Sequence, residues 1–342
     1  MKSTPNSKSS KAFWIRLAGT LLALALLVNL LGQQGWEEIL LAMQKITLWQ
    51  LLAALALNLI SRMAICGRWH VLLRGANLSI RFSQTVRITF AGLFASNFLP
   101  TTIGGDVVRL AGAVQLRFDS AVSTTSLVVD RLVGMAGMAM ALPFGLSAFS
   151  AAFLQPQATG FHIISLSATT LPWNKRLKNK VGNWTGVIIL FIQRMLGSLK
   201  LWVTHPGSLL AALGFTWGHM LCIFASIWLL LYGLGEPVSF WLIAGMWSVV
   251  YFITLVPISI NGYGLQEISL AFIFTRVAGV STSTALTVAI LYRTVFMIAS
   301  LPGAIFVPGI MAARSSDPQG AQGAYEQSDT PGSDVNAGDP PG

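Results

Sequence analysis

Six ionisable residues stand in or beside apolar runs: Asp106, Arg109, Asp130, Arg131, Glu267 and Arg293. An ionised side chain at a bilayer centre costs about 2.5–3.5 kcal/mol on insertion scales, so such residues persist where they pair or bind something. Arginine offers a planar fork of N–H donors that fits the oxygens of a phosphate. Arg109, Arg131 and Arg293 are therefore candidate ligands for an acidic headgroup. Asp106, Asp130 and Glu267 are their candidate counterions or gate partners. The competing reading of each is an ion pair that only ties helices together.

These charges follow two interruptions written in nearly the same words. "NFLPTTIGGDVVR" runs from Asn97 to Arg109, and "TLVPISINGYGLQE" from Thr254 to Glu267, sharing P-x-[ST]-I-[GN]-G. Pro100 and Pro257 are helix-ending hinges. Gly104, Gly105, Gly262 and Gly264 let the chain turn where a bulkier residue would clash, and they join the candidate headgroup site. Broken backbone survives in a membrane only where it faces protein or a wet cavity. A half helix after each break would point free N–H groups and a positive dipole end into that space, which suits a phosphate. Kinks that serve packing alone are the alternative.

The elements that carry these residues must lie in a bilayer. Of 342 residues, 54% are hydrophobic and only 10% charged, against about 25% in soluble domains. Several runs reach the roughly twenty apolar residues needed to cross a hydrocarbon core. The expected fold is an all-α polytopic membrane protein, with about six full crossings and two re-entrant helical hairpins. Residues 1–13 read as a polar N-terminus and 14–31 as an uncleaved first helix. A second helix at 47–67 is followed by a basic stretch, 68–87. A run at 88–99 stops at the first break, a short helix covers 106–118 and a long run covers 121–153. A basic linker spans about 153–206, with an amphipathic interfacial segment between Trp184 and Trp202. Helices then follow at 208–232, 239–256, 265–277 and 283–307. Residues 314–342 are rich in Pro, Gly, Ser and acid and read as a disordered tail.

Charge excludes some functions and orients others. The net charge is +10, and residues 1–313 hold 21 bases against 7 acids. The bases cluster between apolar runs, which argues for cytoplasmic loops and anionic lipids, and against nucleic acid. Cys66 and Cys222 have no metal-ligand spacing and read as small hydrophobes. There is no G-x-S-x-G, HExxH or Walker loop, so neither an enzyme nor a cofactor is indicated. A membrane transferase using Asp106 or Glu267 as a base stays open.

The chain also repeats itself. "LLAALALNLISRMAICGRWHVLLRG" (51–75) aligns with "LLAALGFTWGHMLCIFASIWLLLYG" (209–233) at an offset of 158. Pro100 and Pro257 are 157 apart, and Arg131 and Arg293 are 162 apart. Repeat one covers about 47–150 and repeat two about 208–310. The first copy's long helix runs toward the arginines of 68–87. The second runs away from the basic linker toward Glu236, so the copies are expected to have opposite topology, as in alternating-access transporters. The basic N-terminus is placed in the cytoplasm. Arg62 and His219 nearly coincide across the repeat, and His219 reads either as a packing residue or as a proton relay.

"FASNFLPTTIGGDVVRL", "VVDRLVG" and "VPISINGYGLQE" resemble the motif blocks of the lysylphosphatidylglycerol synthase transmembrane-region family, over roughly residues 14–310. The matching positions are Pro100, Gly104, Gly105, Arg109, Arg131, Pro257, Gly262, Gly264 and Glu267. Asp130 and Asn261 depart mildly from the pattern, where Glu and Gly are expected. In two-part members this region precedes an aminoacyl-transferring domain and moves the modified lipid between leaflets. The resemblance implies translocation without synthesis here, in a bacterial inner membrane, with membrane lipids as partners. A separately encoded lipid-modifying enzyme is a further implied partner. The lipid is left open among anionic phospholipids, aminoacyl-phospholipids and polyprenyl or hopanoid-type lipids. The alternative is an integral-membrane enzyme or accessory subunit of lipid or glycolipid synthesis.

Overall fold

The computed structural model describes residues 44–98, 104–154, 206–256 and 259–310, together with Leu21, Ala25, Val28 and Asn29. Both hinge prolines, Pro100 and Pro257, lie outside the described residues. So do most of the first predicted helix, the interfacial segment at 184–202 and the tail at 314–342.

Every regular element among the described residues is helical. The first half holds α1 (Leu48–Gly75), α2 (Phe82–Phe98), α3 (Gly104–Gln115), α4 (Ser120–Ala141), a 3-10 turn (Leu142–Gly145) and α5 (Leu146–Leu154). The second holds α6 (Pro206–Gly233), α7 (Phe240–Thr254), a 3-10 turn (Ile260–Gly262), α8 (Leu265–Ala278), α9 (Thr282–Ile298) and a 3-10 turn (Leu301–Ile305). Four helical stretches are long and apolar enough to cross a membrane: Leu48–Gly75, Val122–Ala152, Pro206–Gly233 and Thr282–Ile305. This is a multi-pass helical membrane protein.

Local chemistry sets the helix ends. Thr47 and Gln50 form a reciprocal capping box at the start of α1. Asp119 accepts from the Val122 amide at α4, and Ser281 from the Thr284 amide at α9. At the second break Asn261, Gly262 and Gly264 all have positive φ (52°, 72° and 74°), a left-handed path that no helix can follow.

The basic stretch after residue 67 is not a loop. α1 continues through Arg68 to Gly75 and α2 starts at Phe82, which leaves only 76–81 between them. Arg68 can ride inside the helix because Asp130 of α4 neutralises it. The last predicted crossing, 283–307, is likewise two pieces, α9 and a 3-10 turn opened by Pro302.

α1 and α6 each have 28 residues, and their bounds are offset by 158 at both ends. They pack antiparallel. Asn58 donates to Ser226 (3.0 Å), Ser61 meets His219 (2.6 Å), and the Phe215 ring fills the space beside Gly67. The remaining elements interlock reciprocally. The 3-10 turn of the first half seats Gly145 against Gly245 of α7. That of the second half seats Gly303 against the Phe90 carbonyl of α2. Small residues allow such close approach where water cannot drive helices together. The largest buried apolar cluster joins α1, α4, α6, α7, α8 and α9, including Met138, Phe224, Trp247, Phe274 and Tyr292.

Candidate functional site: a cavity where the two helix breaks meet

The end of α2 and the turn before α8 come together. Asn97 donates to Ser300 (2.9 Å) and accepts from the Asn261 amide (3.4 Å), while the Tyr263 hydroxyl donates to the Asn97 carbonyl. The end of the helix before the first break is thus bonded to the turn of the second, far along the sequence. A cavity of about 510 Å³ opens beside them. It takes Arg62, Ser96, Asn97 and Arg131 from the first half, and His219, Asn261, Gly262 and Arg293 from the second.

Its depth follows from α1 and α6. Each is 28 residues and so ~42 Å long, enough to overrun a hydrocarbon core of roughly 30 Å. Arg62 and His219 sit near the middle of these helices, which places the cavity midway along them.

The predicted charges form two assemblies. In the first half, Asp130 holds Arg68 through two bonds (2.7 and 3.1 Å) and Arg109 through one (3.1 Å). Arg109 also approaches Asp106 (3.8 Å), which binds Arg131 from Nε at 2.7 Å. In the second half Arg293 donates to Glu267 at 2.6 Å. The pairs correspond. Asp106 and Glu267 each occupy the first turn of a half helix, and each binds an arginine of the next long helix. Asp106, Asp130 and Glu267 are the acidic partners in these contacts.

The acids also bear on the expected dipole site. A carboxylate in the first turn already complements the positive end of a helix. Neither α3 nor α8 therefore offers a bare N-terminus.

The predicted site residues divide. Arg131, Arg293 and Gly262 line the cavity, whereas Arg109, Gly104, Gly105, Gly264, Asp106, Asp130 and Glu267 do not. Arg109 is turned against the Trp69 ring, 4.3 Å from its centroid, and toward Asp130. Gly105 packs on Gly92 and Ser96, closing the α2–α3 hairpin where a Cβ would collide. Arg131 is the accessible arginine, its side chain 57% exposed. No carboxylate among the described residues lines the cavity, although two of its three arginines, Arg131 and Arg293, pair with acids outside the lining.

Sequence reasoning missed Arg68 and Asn97 as site-building residues. The signal for Arg68 was present: the aligned second copy stays apolar through Leu231, so the first helix had to reach Gly75. Asn97 carried no such signal. Among the described residues no group of three or more His, Cys, Asp or Glu is arranged to hold a metal. Cys66 and Cys222 are free thiols, Cys66 buried.

The model of the family described as "Lysylphosphatidylglycerol synthase TM region" matches residues 13–303. This chain belongs to that family. The match takes in both helix breaks, the cavity and all eight interior charges just described. No curated protein matches the chain significantly. Membership in the lysylphosphatidylglycerol synthase transmembrane-region family makes the chain a membrane protein of lipid metabolism or translocation.

Proposed function

We propose that this chain moves a lipid with an acidic headgroup between the leaflets of a bacterial inner membrane by alternating access. One observation carries the reading. A cavity midway along α1 and α6 lies where the end of α2 bonds to the turn before α8, and among the described residues its wall holds arginines but no carboxylate.

The pattern of elements supports an inverted repeat. α1, α2, α3 and α4 correspond in order to α6, α7, α8 and α9. The bond between Ser61 and His219 joins positions that are equivalent at the 158-residue offset. Equivalent positions of two antiparallel helices touch only on a two-fold axis perpendicular to both. For membrane-spanning helices that axis lies in the membrane plane, the relation expected of inverted halves.

The test is leaflet exchange of a labelled anionic phospholipid in liposomes containing the purified chain. Exchange should exceed protein-free liposomes. It should fall by about tenfold in Arg131→Ala, as for loss of one charge-assisted hydrogen bond. No exchange, with a new lipid product formed from added donors, would replace this reading with a biosynthetic enzyme.

A further inference from the structure

Among the described residues, five of the buried polar atoms without a protein partner belong to residues that line this one cavity. They are Arg62 Nε, Trp247 Nε1, Ser259 Oγ, Tyr292 OH and Arg293 Nη2. Their residues are all more than nine-tenths buried: Arg62 is 2% exposed, Trp247 6%, Ser259 4%, Tyr292 1% and Arg293 8%. Every one can donate, and the arginine and indole nitrogens can only donate. A buried donor without an acceptor is destabilising. Five around one cavity form a pattern, and what they lack in common is an oxygen-rich acceptor.

Arg62 is the odd member of the interior arginines. Arg68, Arg109, Arg131 and Arg293 each bind a carboxylate. Arg62 has none among the described residues. It donates from Nη2 to the Phe296 carbonyl (3.0 Å) and lies over the Phe296 ring, 3.6 Å from its centroid. Two of the other donor residues are contiguous with it: Tyr292 packs on Phe296, with ring centroids 5.9 Å apart, and Trp247 meets Tyr292 edge-on at 4.8 Å. Ser259 and Arg293 line the same cavity.

We infer that Arg62, Trp247, Ser259, Tyr292 and Arg293 form a binding site for a phosphate-type oxyanion, with Arg62 supplying the matching charge. A phosphodiester carries one negative charge and two free oxygens, which a guanidinium edge accepts side by side. Indole and phenol donors then satisfy the remaining lone pairs. This site differs from the predicted headgroup ligands: Arg109 is outside it, and Arg131 stands at the exposed part of the wall. It rests on the proposed transport reading only in making the oxyanion part of a lipid. A free phosphate would meet the same donors.

Thermal unfolding of the purified full chain in a non-ionic detergent tests the site. The probes are inorganic phosphate, dihexanoyl-phosphatidylglycerol and dihexanoylglycerol, which lacks phosphate. The phosphatidylglycerol should raise the midpoint in a dose-dependent way and dihexanoylglycerol should not. Tyr292→Phe removes only a hydroxyl with no protein partner. It should keep the ligand-free midpoint and weaken the apparent affinity by about fivefold or more. Arg62→Gln should abolish the shift without lowering the ligand-free midpoint, because an unneutralised buried charge has been removed; a purely structural arginine would show the reverse. Absence of any phosphate-dependent shift would overturn the site and leave its donors to water. An equal shift in wild type and both variants would overturn it too. A shift from inorganic phosphate as large as that from the lipid supports the oxyanion site and counts against lipid cargo. Phosphatidylglycerol binding without leaflet exchange supports the site while refuting transport.

Discussion

At the scale of single residues, the interior charges differ sharply in what they do. Asp130 is 1% exposed and binds two arginines from two other helices. Its removal strands Arg68 and leaves Arg109 only its longer contact with Asp106. Breaking a buried pair costs about 3–5 kcal/mol, so Asp130→Ala should lose that much stability, read as a large fall in unfolding midpoint. Arg131→Ala should cost less than about 1 kcal/mol because its pair with Asp106 is solvent-screened. A similar fall in both variants would contradict this division. The six charges were legible in the sequence because ionised groups are rare in apolar runs. Their pairing was not. Asp130 and Arg131 are neighbours, yet consecutive helical residues point apart, so each serves a different partner. Sequence order suggests a pair where geometry forbids one.

At the scale of elements, the joints are made by small residues and by one loop acid. A Cβ on Gly245 would collide with the Gly145 backbone, which has no side chain to move aside. Gly245→Ala should destabilise by about 1–3 kcal/mol. Gly218→Ala, with nothing within 4 Å of its added carbon, is the matched control and should be neutral.

Glu236, in the loop between α6 and α7, ties that loop to the start of α9. It accepts from the Ser281 amide (2.7 Å), the Ser281 hydroxyl and the Thr284 hydroxyl (2.8 Å). Burial opposes its ionisation, but these hydrogen bonds win and hold the carboxyl below the usual glutamate range. A lowered folded value means the contribution is full above the unfolded value, about 4.3, and is lost as pH falls through the folded one. Wild type should therefore lose more midpoint below that pH than Glu236→Gln does; parallel losses would contradict the tie. Helix identity and order were largely readable from apolar run length. Boundaries near Arg68 and Pro302 were not, because in a linear pattern a compensated charge looks like a helix end and an apolar 3-10 continuation looks like more helix.

At the scale of the whole molecule, the reciprocal packing bears on topology. If the halves are inverted, the 76–81 loop and the loop carrying Gly235 face opposite sides of the membrane. Single cysteines at Ser79 and Gly235, in a background lacking Cys66 and Cys222, should react with an impermeant thiol reagent from opposite sides. The first is expected from the cytoplasm; reaction of both from one side would end the inverted arrangement. The offset of 158 was visible before any coordinates, and so was the likeness of the two breaks. What sequence could not supply was their meeting. Asn97 and Asn261 carry no charge to mark them as partners, yet they meet in the wall of the cavity.

The bond between Ser61 and His219 has a consequence for ancestry. If the halves are inverted copies of one ancestor, an unfused pair would have placed this residue opposite itself. A self-facing serine or histidine has no built-in division between giver and receiver of the proton. Fusion would then have let the two copies diverge to the hydroxyl and imidazole that face each other here. On that account Ser61→His or His219→Ser would restore sameness at the centre of the molecule.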